Sequence, residues 1–565
     1  MKKSMRLIAV LCMASTLVAS LSGCGSSTSS SSSSNSAKSG SYVVDTKHPI
    51  TIEIYGGDGT TIKPTSDNVI LKKIKDELGI TFKFDILSGD AKQKVAVMIA
   101  GDDLPDMVMN DLDNKFISSK KVIPLEDKMK KYAPDVYKHF TDGNCWGKME
   151  DPNDKHIYYM CPNGVTSTEA TGSYYSGPAF WIQKDILKDA GYPKVTTIEQ
   201  YFDLIKNYAK AHPTIDGKPT IGFELLASQD KGFILENAPS QLSGHPNDGG
   251  VNVDKGVASL YCNTDDTKTY FKMLNDMYSQ GIVDRESVTH NADQYNQKIA
   301  SGRVLGMYDQ HWDFQTAENT LLAAKKYGQT YAPLALTYNG ITPRYKDSPN
   351  PNLGNGLAIT TKCKEPERVL VAFNLLMSDK WQKILNWGLE GVNYSIDPAS
   401  KQPVWTEEQR VNDSNNTYKA KNRLDILYGF SPKTEGKYSD GNAVSLGDNT
   451  IQYQKGLQEY DRTFLKAYNA VSYFDMMGKA PANEIYYPCW NITIPGDSDA
   501  NVSAQAIENT RFKWLPRLVV AKSPADFDST WKSFTQEIKD DNPKAYLDEV
   551  NKGIQYRINN WSVKK

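Results

Sequence analysis

The sequence predicts an α/β fold of two or more domains, and three observations carry that reading. The first is an opening β-loop-α-β unit. Ile50 to Tyr55 alternates as a strand and is broken by Gly56-Gly57-Asp58-Gly59. Val69 to Leu78 then has helical spacing through Val69, Ile70, Ile74 and Leu78, with Gly79 as its stop, and Ile80 to Ile86 alternates again. The second is a helix that feeds directly into a buried strand at 294–308. The third is length: removal of an N-terminal signal leaves about 540 residues, too many for one core.

Taken in order, the first forty residues read as export and tethering. Lys2, Lys3 and Arg6 precede an apolar run from Leu7 to Leu21, a secretory signal pattern that is shorter than a membrane span. Leu21-Ser22-Gly23-Cys24 resembles the bacterial lipobox, in which the cysteine is acylated and becomes the new N-terminus. Gly25 to Ser41 is almost all Ser and Gly and behaves as a flexible chain. The implied location is the extracellular face of the cell membrane, held through lipid on Cys24. A plain secreted protein with an incidental Cys24 is the alternative.

Ala91 to Ala100 follows as a helix, Gly101-Asp102-Asp103-Leu104-Pro105 as a turn, and Asp106 to Met109 as a short buried strand. Pro124-Leu125-Glu126 begins a helix that reaches Tyr132, before Pro134. In 294–308 the helix is expected to expose Gln294 and Lys298 and bury Tyr295 and Ile299. Gly302 ends it, and Val304 to Tyr308 is a strand. Residues just past that strand, Asp309-Gln310-His311-Trp312, fall at the carboxyl edge, where open α/β sheets bind ligands. Beyond Pro403, Thr406 to Leu427 reads as helical and charged, Tyr428 to Asp448 as a loop and Ile451 to Tyr473 as a tyrosine-rich helix. Tyr486-Tyr487-Pro488-Cys489-Trp490 is an aromatic cluster.

Composition excludes some classes. The net charge of −2 comes from 65 basic and 67 acidic residues mixed along the chain, with no basic stripe for nucleic acid. Of seven cysteines, Cys12 leaves with the signal and Cys24 takes lipid. Cys145, Cys161, Cys262, Cys363 and Cys489 remain, with no CxxC pair and so no structural zinc pattern. A Cys145–Cys161 disulfide and buried thiols are both open. Neither GxSxG, HExxH nor GxxxxGK[ST] occurs. The 32 Tyr and 10 Trp offer flat apolar faces with polar edges, which suit sugar rings.

Four ordered blocks carry a family resemblance: KQKVAVMIAGDDLPDMVM from Lys92 to Met109, FWIQKDILKDAGYPKVTT from Phe180 to Thr197, QYNQKIASGRVLGMY from Gln294 to Tyr308, and Gly354 to Thr360 followed by Gly391-Val392-Asn393-Tyr394. Together they resemble the family 1 extracellular solute-binding proteins, in the large lipoprotein branch that serves ABC importers of oligosaccharides. The resemblance spans about Ile50 to Pro403, with a weaker echo from Phe527 to Ile554. It implies a two-lobed periplasmic-binding-protein-like clamshell with discontinuous lobes and hinge crossings. The implied division is a signal at 1–23, a tether at 24–45, an N-lobe from 46–170 and 354–402, and a C-lobe from 171–353 and 403–565.

The resemblance also implies a function: a monomeric, non-enzymatic receptor that captures a carbohydrate by closure and passes it to membrane permease subunits. Ligand contacts are expected from Asp58, Asn110 and Asp111 in one lobe and from Asp309, His311, Trp312, Tyr394 and Trp490, with Trp312 as the stacking platform. Trp181 and Trp387 read as core, and Trp405 has no context. Members of the family often carry a calcium loop; here the corresponding stretch, His212 to Lys218, retains only Asp216, so no metal or other cofactor is expected. The Asp151-Asn153-Asp154 turn reads as a plain loop. A secreted glycoside hydrolase or polysaccharide lyase is the alternative class, and a peptide-binding receptor the third.

Overall fold

The computed structural model describes residues 44–56, 61–86, 91–109, 115–142, 146–162, 175–228, 231–347, 356–434, 436–479 and 484–561. Cys24, the tether up to Val43, Asp58, Asn110, Asp111 and Cys145 lie outside these residues. Eight strands build two four-stranded sheets: β1 (Ile50–Gly56), β2 (Ile80–Ile86), β3 (Met107–Met109), β4 (Pro178–Gln183), β5 (Ile221–Glu224), β6 (Val304–Gln310), β7 (Tyr331–Leu334) and β8 (Leu357–Ile359). The first sheet has the order β8-β3-β1-β2 and the second β7-β4-β6-β5.

Local chemistry explains the opening unit. In β1, Ile52 and Ile54 are buried while Thr51 and Glu53 face out, and Glu53 is paired in register with Lys83 of β2. Asn68 caps the helix Val69–Leu78 by accepting from the Ile70 and Leu71 amides, and Gly79 ends it in the left-handed region at φ 67°. Ile70, Ile74 and Leu78 are its buried stripe. By contrast, β4 is buried along its whole length and β6 through Asp309, as befits strands covered on both faces.

Each sheet has its own core. Ile52, Phe82, Met107, Leu357, Leu370 and Phe373 pack around the first, and Phe180, Phe223, Tyr295, Leu305, Met307 and Tyr331 around the second. The segment expected wholly in the second lobe, 403–565, is shared between these cores. Leu424, Ile426 and Leu427 join the first, whereas Phe464, Ile507, Phe534 and Ile554 join the second.

The register fixes where the chain passes between sheets. β1, β2 and β3 run parallel, and antiparallel β8 sets Leu357 opposite Met109, so β8 starts at their carboxyl edge. In the second sheet, β6 runs parallel to β5, and antiparallel β4 sets Pro178 opposite Gln310. Met160 bridges Leu357 at the first edge. The run from Met160 to Pro178 and the run from Leu334 to Leu357 therefore each join one carboxyl edge to the other.

Two sequence expectations change and one is refined. Thr406–Leu427, read as helical, is three helices, Glu407–Asp413, Asn416–Asn422 and Asp425–Phe430. Asn415 caps the second by accepting from the Tyr418 amide, and a side chain that competes for the backbone in this way breaks a helix. Ile451–Tyr473 divides at Gly456 into Thr450–Gly456 and Glu459–Ala467. Lys298, expected at the surface, is only 8% exposed because carboxylates surround its ammonium.

The helix Glu459–Ala467 is locked to the second lobe by a buried ion pair: Lys184 Nζ lies 2.6 Å from Asp461 Oδ1, and the Tyr473 hydroxyl donates to the same oxygen at 2.7 Å. Removing one partner strands a buried charge. Asp461→Ala should lower stability by about 3–5 kcal/mol in urea unfolding followed by tryptophan fluorescence. A loss under about 1 kcal/mol would show that the pair does not hold this helix in place.

Candidate functional site

The carboxyl edge of the second sheet presents an exposed aromatic surface. β6 ends at Gln310, and the helix His311–Ala323 starts at once, which turns Trp312 outward at 51% exposure. Three neighbours fix its indole. The ring N–H donates to Gln310 Oε1 at 2.7 Å, Phe233 lies 5.4 Å away centroid to centroid, and Lys231 Nζ stands 5.0 Å from the ring centroid. Asp313 holds that ammonium at 2.5 Å. Lys231 and Phe233 follow parallel β5, so two adjacent strand ends supply one platform.

The residues on either side of Trp312 turn inward. Asp309 is fully buried; the Tyr295 hydroxyl donates to its Oδ2 at 2.8 Å and the Gln310 amide to its Oδ1 at 2.6 Å. Burial, then the nearby Asp313 charge, holds the Asp309 carboxyl well above the usual range. His311 is buried against Trp181 and Phe314, and its Nε2 meets Glu318 Oε2 at 2.6 Å. Both residues support the platform from beneath. Trp181 is core, as the sequence indicates, and its indole donates to the Asp309 carbonyl at 2.8 Å.

A second exposed indole lies along the same lobe. Trp490 is 45% exposed, and a Cβ on Gly249, whose φ of 58° favours glycine, would sit 3.1 Å from the Trp490 Cβ. The loop before it is pinned from below. The Cys489 amide donates to Asp248 Oδ1 at 2.8 Å, and the Tyr487 hydroxyl donates to Asp347 Oδ1 at 2.6 Å. Asn237 joins this loop to the Trp312 platform: its side chain donates to Asn247 Oδ1 at 2.9 Å, and it directly follows the helix Phe233–Glu236. Lys346 sits beside Asp347, 3.9 Å over the Phe474 ring, and burial lowers its pKa.

In the first lobe, Tyr394 is only 8% exposed and lies in a satellite cluster with Trp387, Tyr438, Val444 and Leu446. Trp405 packs against that cluster, which supplies the context its sequence lacks. Asp58, Asn110 and Asp111 follow β1 and β3 in sequence and lie outside the described residues. Lys231, Phe233 and Arg557, which shape the second-lobe surface, carried no sequence signal, because each acts on a partner roughly 65–80 positions away.

Among the described residues one cluster resembles a metal site, and an ammonium group already fills it. Glu224, Asp284 and His290 place ligand-type atoms within 4.8 Å of one another, but Lys298 Nζ bonds Asp284 and lies 3.1 Å from His290 Nδ1 and 2.8 Å from Glu286 Oε2. The stretch His212–Lys218 folds as a hairpin, Thr214–Ile215 against Lys218–Pro219, and Lys326 takes the Asp216 carboxylate. One carboxylate in an ion pair does not fit a calcium ion, which needs six or more oxygens. In the 151–154 turn, Asp151 accepts from the Asn153 amide and Asp154 from the His156 amide and the Tyr158 hydroxyl.

Comparison with known proteins agrees with this architecture. The bacterial extracellular solute-binding protein family matches over residues 70–385. A fructooligosaccharide ABC transporter substrate-binding protein, FusA of Streptococcus pneumoniae serotype 4, is 24% identical over 256 residues, which span 44% of this chain and 47% of that relative. Among solved structures, an extracellular solute-binding protein from Bifidobacterium longum subsp. infantis has a TM-score of 0.67 at 14% identity, covering 91% of this chain and 100% of its own. The alginate-binding protein AlgQ2 gives 0.63 at 18%, covering 90% and 98%. At these identities the structural likeness establishes the fold.

The buried Asp248 beneath the aromatic loop has a pH consequence. Burial pushes its carboxyl up to about 7, and its Oδ2 has no partner among the described residues. The folded state thus keeps a proton that the unfolded state has released, and this group's contribution to stability falls as pH rises from about 4 through 7. Asp248→Asn, which keeps the acceptor for the Cys489 amide, should leave stability unchanged at pH 4 and raise it by roughly 2–4 kcal/mol at pH 8 in urea unfolding. An equal effect at both pH values would contradict the assignment.

Proposed function

The chain belongs to the bacterial extracellular solute-binding proteins, and on that premise we propose that it is the binding subunit of an ABC importer that captures an oligosaccharide. The observation that carries the reading is the exposed Trp312 indole, held by Gln310, Phe233 and Lys231 at a strand-end edge. A pyranose presents C–H groups on its faces and hydroxyls on its rim. The flat indoles of Trp312 and Trp490, both exposed, suit the faces. Asp58, Asn110 and Asp111 complete the site from the first lobe, and Asp309 and His311 support it. Tyr394, buried in its satellite cluster, acts at most through its neighbours.

Because the two connecting runs join carboxyl edge to carboxyl edge, a ligand held by both edges favours the arrangement in which they approach. The closed form is what the permease subunits recognise. The lobes of this proposal divide near 163–174 and 348–355, with a third passage between the residues that pack on the first core up to Leu427 and those that pack on the second from Phe464. The protein binds without cleaving its ligand. The relatives' names motivate the sugar class: FusA is a fructooligosaccharide-binding protein and AlgQ2 an alginate-binding protein.

Titration calorimetry against kestose, alginate oligomers and other short oligosaccharides should find one class that binds. Trp312→Ala should then weaken that binding by about 2 kcal/mol, roughly 30-fold, with the fold intact. Undiminished binding by the variant would remove Trp312 from the site, and the appearance of new reducing ends would replace the receptor with an enzyme.

We place the protein on the outer face of the membrane through acylated Cys24. Cys24→Ala should move the chain from the membrane fraction to the medium and abolish labelling by a radioactive fatty acid. Retention of label in the variant would overturn the anchor.

A further inference from the structure

The C-terminal helix, Pro543–Trp561, belongs to the second lobe for most of its length. Val550 and Ile554 lie in that core, the Ala258 amide donates to Asn551 Oδ1 at 2.7 Å, and Gln555 Nε2 donates to the Gly256 carbonyl at 3.2 Å. Its last turn does something else. Lys155 Nζ donates to the Tyr556 hydroxyl at 2.5 Å and stands 4.3 Å from that ring's centroid. Lys148 Nζ lies 5.9 Å from the Trp561 ring centroid. A Cβ on Gly147 would sit 3.4 Å from the Asn560 carbonyl oxygen. Trp561 is only 7% exposed yet is a member of neither main core.

Those lysines belong to the first lobe. Lys148 is on the short helix Trp146–Met149, whose Trp146 and Met149 pack on the first core, and Trp146 meets Tyr137 edge-on at 4.8 Å. Lys155 is held at φ 66°, a left-handed backbone that a lysine adopts only at some cost. The turn is closed by the Lys155 amide bonding the Asp151 carbonyl. The contact is therefore a second link between the lobes, made of side chains and separate from the covalent crossings.

The same turn also grips the aromatic loop. Arg557 Nη1 donates to the Tyr486 carbonyl at 2.7 Å and to the Pro488 carbonyl at 2.5 Å, and Nη2 donates to Asn491 Oδ1. Its guanidinium carbon lies 4.4 Å from the Trp561 centroid. Burial lowers the guanidinium to about 10, which leaves it charged at neutral pH. One rigid turn thus joins the loop carrying Tyr487 and Trp490 to first-lobe lysines, through adjacent residues on one helix end.

We propose that the last turn of the C-terminal helix is a clasp between the lobes, and that Arg557 is a positioning residue that couples the clasp to the Tyr486–Asn491 loop. The coupling to ligand rests on the function proposed above; the clasp does not. Lobe movement has to strain or release the cation–ring contacts at Tyr556 and Trp561, and each shift of that turn carries the loop carbonyls with it. Contacts of this type are weak singly, so the clasp can open without unfolding either core.

The test uses the ligand-free mature chain and the variant Lys148→Ala/Lys155→Ala, whose lysines lie outside both cores. Small-angle scattering should show a larger radius of gyration and a longer maximum dimension than the parent, with an unchanged circular dichroism spectrum. Hydrogen–deuterium exchange should show the amides of 486–492 exchanging at least threefold faster, because the turn these lysines hold also carries Arg557. Arg557→Lys, which keeps the charge but loses the fork, should speed the same amides and leave the scattering curve unaltered. An unchanged curve for the double variant overturns the clasp. A changed curve with unchanged loop exchange overturns the coupling. Neither readout involves a sugar, so failure here is distinct from failure of the carbohydrate assignment.

Discussion

Everything in this chain depends on the strand register that brings both inter-sheet connections to carboxyl edges. Pro178 opposite Gln310 and Leu357 opposite Met109 are backbone facts, set by hydrogen-bond ladders in buried sheets. A one-residue slip in either pair would exchange the side chains packed on one face of the sheet with those packed on the other. Given that register, the residues that follow β5 and β6 emerge at the edge where the chain enters and leaves the second sheet. Trp312 turns outward here: Asp309 and His311 are bonded inside, and the indole takes the most exposed position at the strand-to-helix turn.

Buried charge in the second lobe is arranged so that the edge stays stiff. Lys298 sits among Glu224, Asp284 and Glu286, Lys184 pairs with Asp461, and Arg511 pairs with Glu236 at 2.9 Å. Such pairs add little net stability over apolar packing, but removing one partner is expensive, so they favour one arrangement over near alternatives. Glu224 is the last residue of β5, and Glu236 ends the short helix that starts with Phe233. The ion pairs therefore fix both ends of the loop that delivers Lys231 and Phe233 to the platform.

What the sequence disclosed was local. The helix Val69–Leu78 follows from one stripe and a terminal glycine, and the unit 292–310 from a helix stopped by Gly302 and an apolar strand. The aromatic residues at the strand end and at 486–490 were visible as residues, and the outward turn of Trp312 followed from its position past β6. Burial of Asp309, His311, Tyr394 and Lys298 was not visible, because their partners Tyr295, Glu318, Trp387 and Asp284 become neighbours only after folding. The helical character of Thr406–Leu427 was visible, and capping by Asn415 sets where one of its helices begins. The role of Arg557 depends on carbonyls some 70 residues upstream, for which no spacing rule exists.

Diffraction from crystals grown with the tightest-binding oligosaccharide tests the central claim directly, that the two carboxyl edges form one binding surface. The account predicts a sugar ring stacked on the Trp312 indole, with hydroxyls bonded both to residues following β1 or β3 and to residues near Trp490. A sugar bound on the outer helices, or touching the strand ends of one sheet alone, would contradict it.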